Sequence, residues 1–187
     1  VYVTGSNAKL LSSEISTALR GWTLDYEILP LSFREFCRFK GIDAHSHLES
    51  DKAKRYAAME EYIHGGGFPK VVLASEKSMK LRMLQGYFNT MLFRDLAERH
   101  EIKNIEALRY FLKRVMHNLT KTTSINAIVI DMRSNGVSVS KDDLYNWADW
   151  AVEAYLFVRY PKYSRSLVKE NQSLRKYYVI DTGMRQA

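Results

Sequence analysis

Hydrophobic positions along this chain change period twice, and the changes divide it into three stretches. Val1-Tyr2-Val3-Thr4-Gly5-Ser6-Asn7 is a short apolar run ending in small polar residues. That is the pattern of an inner strand of a parallel sheet whose carboxyl end opens onto a site. No second strand of this type follows at βαβ spacing and no Met precedes it, which predicts the back part of a larger protein. Lys9 to Leu19 places Leu10, Leu11, Ile15, Ala18 and Leu19 at helical spacing, with Gly21 as the stop. Thr23 to Leu29 alternates as a half-buried strand closed by Pro30. Ser32 and Glu35 stand at capping-box spacing ahead of an apolar stripe of Phe33, Phe36, Cys37 and Phe39. The polar, His-bearing segment from Ile42 to Ser50 reads as a loop.

From Asp51 the period is helical. One helix is expected over Lys52 to Ile63, ended by Gly65-Gly66-Gly67-Phe68-Pro69, where Pro suits the first turn of the next helix. A long helix covers about Lys77 to Arg99, with Leu84, Phe88, Met91, Leu92 and Leu96 on one face. Another runs from about Ile105 to Asn118, capped by Asn104, with Leu108, Phe111, Leu112 and Val115 inward.

The last third changes character again. A helix from Ser124 to Met132, a turn at Ser134-Asn135-Gly136 and a helix capped by Ser140, with Asp143 at the capping-box position, come first. The inward face of that second helix is expected at Leu144, Trp147, Ala148, Ala151 and Tyr155. Two strand-like runs follow, Phe157 to Tyr160 and Arg175 to Asp181. Helix, Gly-containing turn, helix and β-hairpin is the order of a winged helix-turn-helix. The fold class expected is mainly α, of the α+β kind.

Composition narrows the function. The hydrophobic and charged shares, 46% and 26%, exclude a disordered chain. No apolar run approaches the roughly 20 residues of a membrane span, so no membrane partner is expected. The single cysteine, Cys37, rules out an internal disulfide and fits a reducing compartment, so the cytoplasm is the expected location. Cys37, His45 and His47 lack a fourth partner and zinc-like spacing, and no metal site is expected. A Gly-x-Ser-x-Gly elbow is missing. A net charge of +7 points to an anionic partner.

The distribution of that charge is uneven. The second helix of the turn pair opens Ser140-Lys141-Asp142-Asp143 and carries Asp149 and Glu153, which opposes deep major-groove reading. Across the hairpin, Arg159, Lys162, Arg165, Lys169, Arg175 and Lys176 face only Glu170 and Asp181, with Tyr160, Tyr163 and Tyr177 between them. Lys162, Arg165, Lys169, Arg175 and Lys176 are therefore the candidate DNA-binding residues, directed at the backbone rather than at base edges. A solvated basic hairpin or a docking surface for another domain is the plainer alternative.

Several motifs carry a family resemblance. They are Thr4-Gly5-Ser6-Asn7, Leu19-Arg20-Gly21, Leu29-Pro30-Leu31-Ser32-Phe33-Arg34-Glu35-Phe36, Gly66-Gly67-Phe68-Pro69, Phe93-Arg94-Asp95-Leu96, Val137-Ser138-Val139-Ser140-Lys141 and Tyr178-Val179-Ile180-Asp181-Thr182-Gly183. Taken in order along the whole chain, they resemble a family of prokaryotic AAA+ ATPases. Those proteins have an ATPase core, a helical lid and a winged helix, and many end in a restriction-endonuclease-like domain. The resemblance implies three segments: 1–31 as the end of a parallel-sheet AAA+ core, 32–120 as the helical lid and 121–187 as the winged helix-turn-helix.

It also implies roles. Asn7, beside Ser6 at the carboxyl end of the opening strand, would orient the water that attacks the γ-phosphate; the plainer role of either residue is a helix cap. Arg20 would be an arginine finger, although the chain has Gly21-Trp22 where the family pattern has Gly-Arg; otherwise it favours a helix dipole. Gly67 and Pro69 would lie against the adenine, or simply turn the chain between helices. Ser6, Asn7, Gly67 and Pro69 are thus the nucleotide-binding candidates, and Asn7 and Arg20 the catalytic ones.

ATP and Mg would serve the intact protein, and none is expected to bind tightly to these residues alone. The Walker A and Walker B motifs fall outside this sequence, so no ATP hydrolysis is expected from it by itself. The partners implied are DNA, the missing ATPase core, a C-terminal restriction-endonuclease-like domain and a homo-oligomer. The competing reading is a non-enzymatic winged-helix module that binds DNA or protein.

Overall fold

The computed structural model describes residues 5, 24, 26–44, 48–166, 168 and 173–187. The opening strand, the helix expected over 9–19, and Ser6, Asn7, Arg20 and Lys169 lie outside the described residues. Contacts divide the chain into two units. The first joins Glu27–Asn89 to Ile180–Ala187, and the described core of the second lies in Thr90–Val179. The expected segments 32–120 and 121–187 therefore each contribute to both.

In the first unit, α1 (Phe33–Phe39) starts at Ser32 with the expected capping box: the Ser32 side chain accepts from the Glu35 amide, and Glu35 accepts from the Ser32 N–H at 2.8 Å. Phe36 and Cys37 are buried and Phe33 packs beside them, but Phe39 is exposed. The reason is angular. At about 100° per residue, Phe39 falls more than 90° from the centre of the face shared by Phe33, Phe36 and Cys37. The strand expected over 23–29 is not formed at its described residues: Leu24 and 26–29 belong to no strand, and Ile28 is 91% exposed. Alternation buries a face only where a neighbouring strand accepts the edge, and among the described residues none does.

Helix α2 (Glu49–Gly65) begins three residues before the expected start and packs on α1. Gly66 ends it, and α3 (Pro69–Leu73) follows with Pro69 at its first position. Helix α4 (Lys77–Thr90) completes this part. A small core of Phe36, Cys37, Ala58 and Val72 is closed by Leu31, Phe33 and Tyr62.

The helix expected to continue to Arg99 changes its winding. Met91–Glu98 is a π-helix, with Leu92, Asp95, Leu96 and Ala97 buried. Leu92 and Leu96, four apart, share its buried face, as residues at that spacing do on a helix. In the second unit, α5 (Ile105–His117) takes Asn104 as its cap and buries the expected Leu108, Phe111, Leu112 and Val115. Strand β1 (Thr122–Thr123), α6 (Ile125–Ser134) and α7 (Lys141–Glu153) follow. Ser140 and Asp143 form the second capping box. Between α6 and α7, Arg133 donates twice to the Val139 carbonyl, at 3.0 and 2.8 Å, and fixes the turn.

Leu144, Trp147, Ala148 and Ala151 face inward as expected, but Tyr155 does not extend the stripe. The helix stops at Glu153 and Tyr155 takes left-handed backbone, φ 56°. The Leu156 N–H then donates to the Ala151 carbonyl at 2.9 Å, a helix-ending turn that sends Leu156 and Phe157 into the core. Strands β2 (Phe157–Tyr160) and β3 (Arg175–Val179) close an antiparallel sheet of order β1-β3-β2. Helix α5 packs on α6, β3 and the π-helix, and α7 on α6, β2 and the π-helix. Phe111 and Trp147 meet edge to face at 5.9 Å in this core. Among the described residues no helix is long and apolar enough to cross a membrane.

Candidate functional site

The first unit brings together three pieces of sequence that lie far apart in the chain. A 3₁₀ helix, Thr182–Gln186, packs against α2, and Asp181 caps it. The Asp181 carboxylate accepts the Gly67 N–H at 2.6 Å and the Gly183 N–H at 2.9 Å. Gly67 in turn accepts the Leu31 N–H at 2.9 Å. The Tyr62 hydroxyl donates to the Leu31 carbonyl at 2.8 Å, and the Thr182 hydroxyl donates to the Tyr62 carbonyl at 2.8 Å. Leu31, the glycine loop and the Asp181-Thr182-Gly183 run thus form one hydrogen-bonded junction.

Glycine is required here by closeness. Gly66 has φ +75°, and a Cβ on it would collide with the Asp181 carboxyl. A Cβ on Gly67 would collide with the Leu31 backbone. Burial pushes the Asp181 carboxyl above the usual carboxylate range, partly opposed by the N–H groups of Gly67, Gly183 and Phe68. Burial also raises the Tyr62 hydroxyl, with the charges of Asp181 and Glu35 adding to it. Phe68 meets Tyr87 edge to face at 5.0 Å, so the loop is held on its other side as well.

Of the two nucleotide candidates that are described, Gly67 is buried in this junction and Pro69 is exposed at the start of α3. Gly67 meets protein backbone on the side where a ligand would need its bareness, while the Pro69 ring remains accessible. In the sequence Asp181 stands within the Tyr178–Gly183 motif and near the hairpin cations, where nothing local marks it as the acceptor of this junction. The nearest signal is its Asp-Thr-Gly run directly after an apolar strand. Among the described residues no group of three His, Cys, Asp or Glu could hold a metal ion.

In the second unit, the hairpin places its cations on different faces. Arg159 pairs with Tyr177 across the strands and forms an ion pair with Asp149 of α7. Burial lowers its guanidinium and the Asp149 partner more than offsets this, so the net direction is upward. Arg159 is therefore engaged. Lys162, Arg165 and Lys176 are exposed and Arg175 is half-buried. The Lys162 amide donates to the Ser173 hydroxyl at 3.1 Å, which joins the two arms of the connection. No Asp or Glu stands among the described residues of 157–179. On α7, Asp142, Asp143 and Asp149 are exposed. Asp95 of the π-helix is buried and accepts from Arg94 at 3.0 Å.

Residues 56–187, including the glycine loop, Asp181 and the whole hairpin, match the family described as Domain of unknown function (DUF8612). The chain belongs to this family. Residues 1–37 match an AAA domain, so this DUF8612 member has an AAA-like N-terminus. It is 33% identical over 97% of its length to an uncharacterised protein of Methanocaldococcus jannaschii. It is 32% identical over its whole length to an uncharacterised protein of Haemophilus influenzae. The chain spans 41% and 45% of the lengths of those two relatives. No solved structure matches it.

Proposed function

We propose that this chain is the part of an AAA-type ATPase in which a helical lid and a winged helix carry nucleotide-driven movement to DNA. The observation that carries the reading is the element order in the second unit. Helix α5, strand β1, helices α6 and α7 around a short turn, and a hairpin make a sheet of order β1-β3-β2. That order supports a winged helix, and it stands in a chain whose N-terminus is AAA-like.

DNA contact runs through the hairpin and not through α7. The exposed acids of α7 repel phosphate, whereas Lys162, Arg165, Arg175 and Lys176 meet no described acid in their own segment. Lys169, from the same connection, joins them in this reading. Asn7, Arg20 and Ser6 are the nucleotide contacts expected from the core side. Pro69 offers an accessible apolar ring to an adenine, and Gly67 serves it by letting the loop lie against Leu31. The described residues offer Mg no ligand set.

Anisotropy of a labelled DNA duplex, titrated with this chain over a range of salt, tests the DNA part. Binding should weaken steadily with salt, and Lys162→Glu with Lys176→Glu should weaken it further at low salt. Salt-independent binding, or reversal variants that bind as well as the parent, would remove the hairpin from the reading. For the ATPase part, this chain should show no ATP turnover, while a protein extended upstream to the length of its relatives should hydrolyse it. Turnover by this chain alone sinks the assignment.

A further inference from the structure

The sheet of the second unit has a face turned from its buried Phe157 and Tyr177, half-buried at Val158 and Tyr178 and open at Tyr160 and Lys176. Cross-strand partners share a face of a sheet, and successive residues alternate between faces. Phe157 with Val179 and Arg159 with Tyr177 therefore point one way, and Phe157 and Tyr177 are buried. Val158 with Tyr178 and Tyr160 with Lys176 point the other way. On that second face Tyr160 is 57% exposed and Lys176 is exposed. Tyr160 and Tyr178 meet edge to face, with ring centroids 5.7 Å apart and an interplanar angle of 83°.

An edge-to-face pair leaves ring surface uncovered on its solvent side. Here an ammonium group stands directly across the strands from one of those rings. Tyr163, 83% exposed, continues the aromatic positions into the connection beside Lys162 and Arg165. Solvated cations alone would explain the lysines, but they do not explain why the intervening exposed positions are tyrosine.

We infer that this sheet face is a stacking platform for unpaired nucleotide bases, with Tyr160 and Tyr178 as the platform and Lys176 as a backbone phosphate contact. The inference rests on the nucleic-acid reading above and sharpens its partner from duplex to unpaired strand. Bases inside a duplex have both faces covered by their neighbours and cannot reach a tyrosine on a sheet. Unpaired bases can, and aromatic stacking of this kind tolerates any sequence.

The test compares a fluorescein-labelled thymidine oligonucleotide with the same strand annealed to its complement, binding this chain at one low salt concentration. The unpaired strand should bind about tenfold more tightly, the scale of stacking one base. Tyr160→Ala should abolish that preference and leave duplex binding unchanged, and Tyr160→Phe should restore it. Lys176→Gln should weaken both probes and lower the salt slope by about 0.7 to 0.9. Equal or tighter duplex binding, or a Tyr160→Ala variant that keeps the preference, overturns the platform and leaves backbone contact standing. Failure of both probes to bind at low salt overturns the nucleic-acid reading and the platform together.

Discussion

The Asp181 carboxylate accepts the Gly67 N–H at 2.6 Å although 114 positions separate the two residues. This bond explains why three sequence motifs without local connection occur together. Leu31, the glycine loop and Asp181 each supply what the others lack: a backbone donor, a loop with no side chains in the way, and an acceptor with two oxygens. A buried backbone N–H without a partner is costly, and Asp181 satisfies two, on Gly67 and Gly183.

Removing the acceptor should therefore destabilise the first unit. Asp181→Ala leaves the Gly67 and Gly183 amides without it, a cost of about 3 kcal/mol. Urea denaturation followed by circular dichroism checks this, and an unchanged midpoint would show that the junction does not hold the fold.

Two glycine substitutions should act in opposite directions. Gly67→Ala meets the Leu31 backbone and should cost about 1–3 kcal/mol, whereas Gly86→Ala, in α4 where an added Cβ would meet nothing within 4 Å, should stabilise by about 0.5–1 kcal/mol. Thermal midpoints of the two variants beside the parent give the comparison.

Acid should affect two carboxyls with opposite sign. The Asp181 carboxyl is raised by burial, so the stability it contributes is fully present below the unfolded value of about 3.9 and is lost as pH rises through the folded value. The stability difference between the parent and Asp181→Asn should widen in the parent's favour as pH falls. For Glu61, burial acts upward, but Lys80 at 2.7 Å and Lys40 at 3.0 Å turn the net direction downward. Its contribution is present above the unfolded value and is lost as pH falls through the folded one, so the Glu61→Gln difference should narrow in acid. Urea midpoints measured across the acid range decide both signs.

Charge on α7 should limit binding of nucleic acid. Asp149→Asn removes an exposed acid and releases Arg159 from its ion pair, so duplex affinity should rise by about two- to fivefold, the scale of one surface charge pair. Anisotropy at low salt reads this, and weaker binding would mean that the Asp149 pair positions the hairpin rather than shielding it.

The capping box of α7 gives a local check. Ser140→Ala removes the side-chain acceptor for the Asp143 amide and should cost about 1 kcal/mol. The same urea denaturation measures it.

Local chemistry was legible in the chain. Ser32 with Glu35 and Ser140 with Asp143 form their boxes because cap and partner are three residues apart, and no distant group is needed to complete them. The inward stripe of α5 followed from its period in the same way. What the tertiary structure alone decided depends on groups far apart in sequence. Alternation over 23–29 made no strand at its described residues, since pairing belongs to two segments and periodicity describes one. Asp181 could not be recognised as a clamp until the chain returned it to the glycine loop. Nor could the hairpin cations be sorted until the register turned Arg159 toward Asp149 and Lys176 toward solvent. The reason is common to all three: a helix cap closes within one turn, whereas a strand edge, a buried carboxylate and an ion pair take their meaning from the partner that folding brings to them.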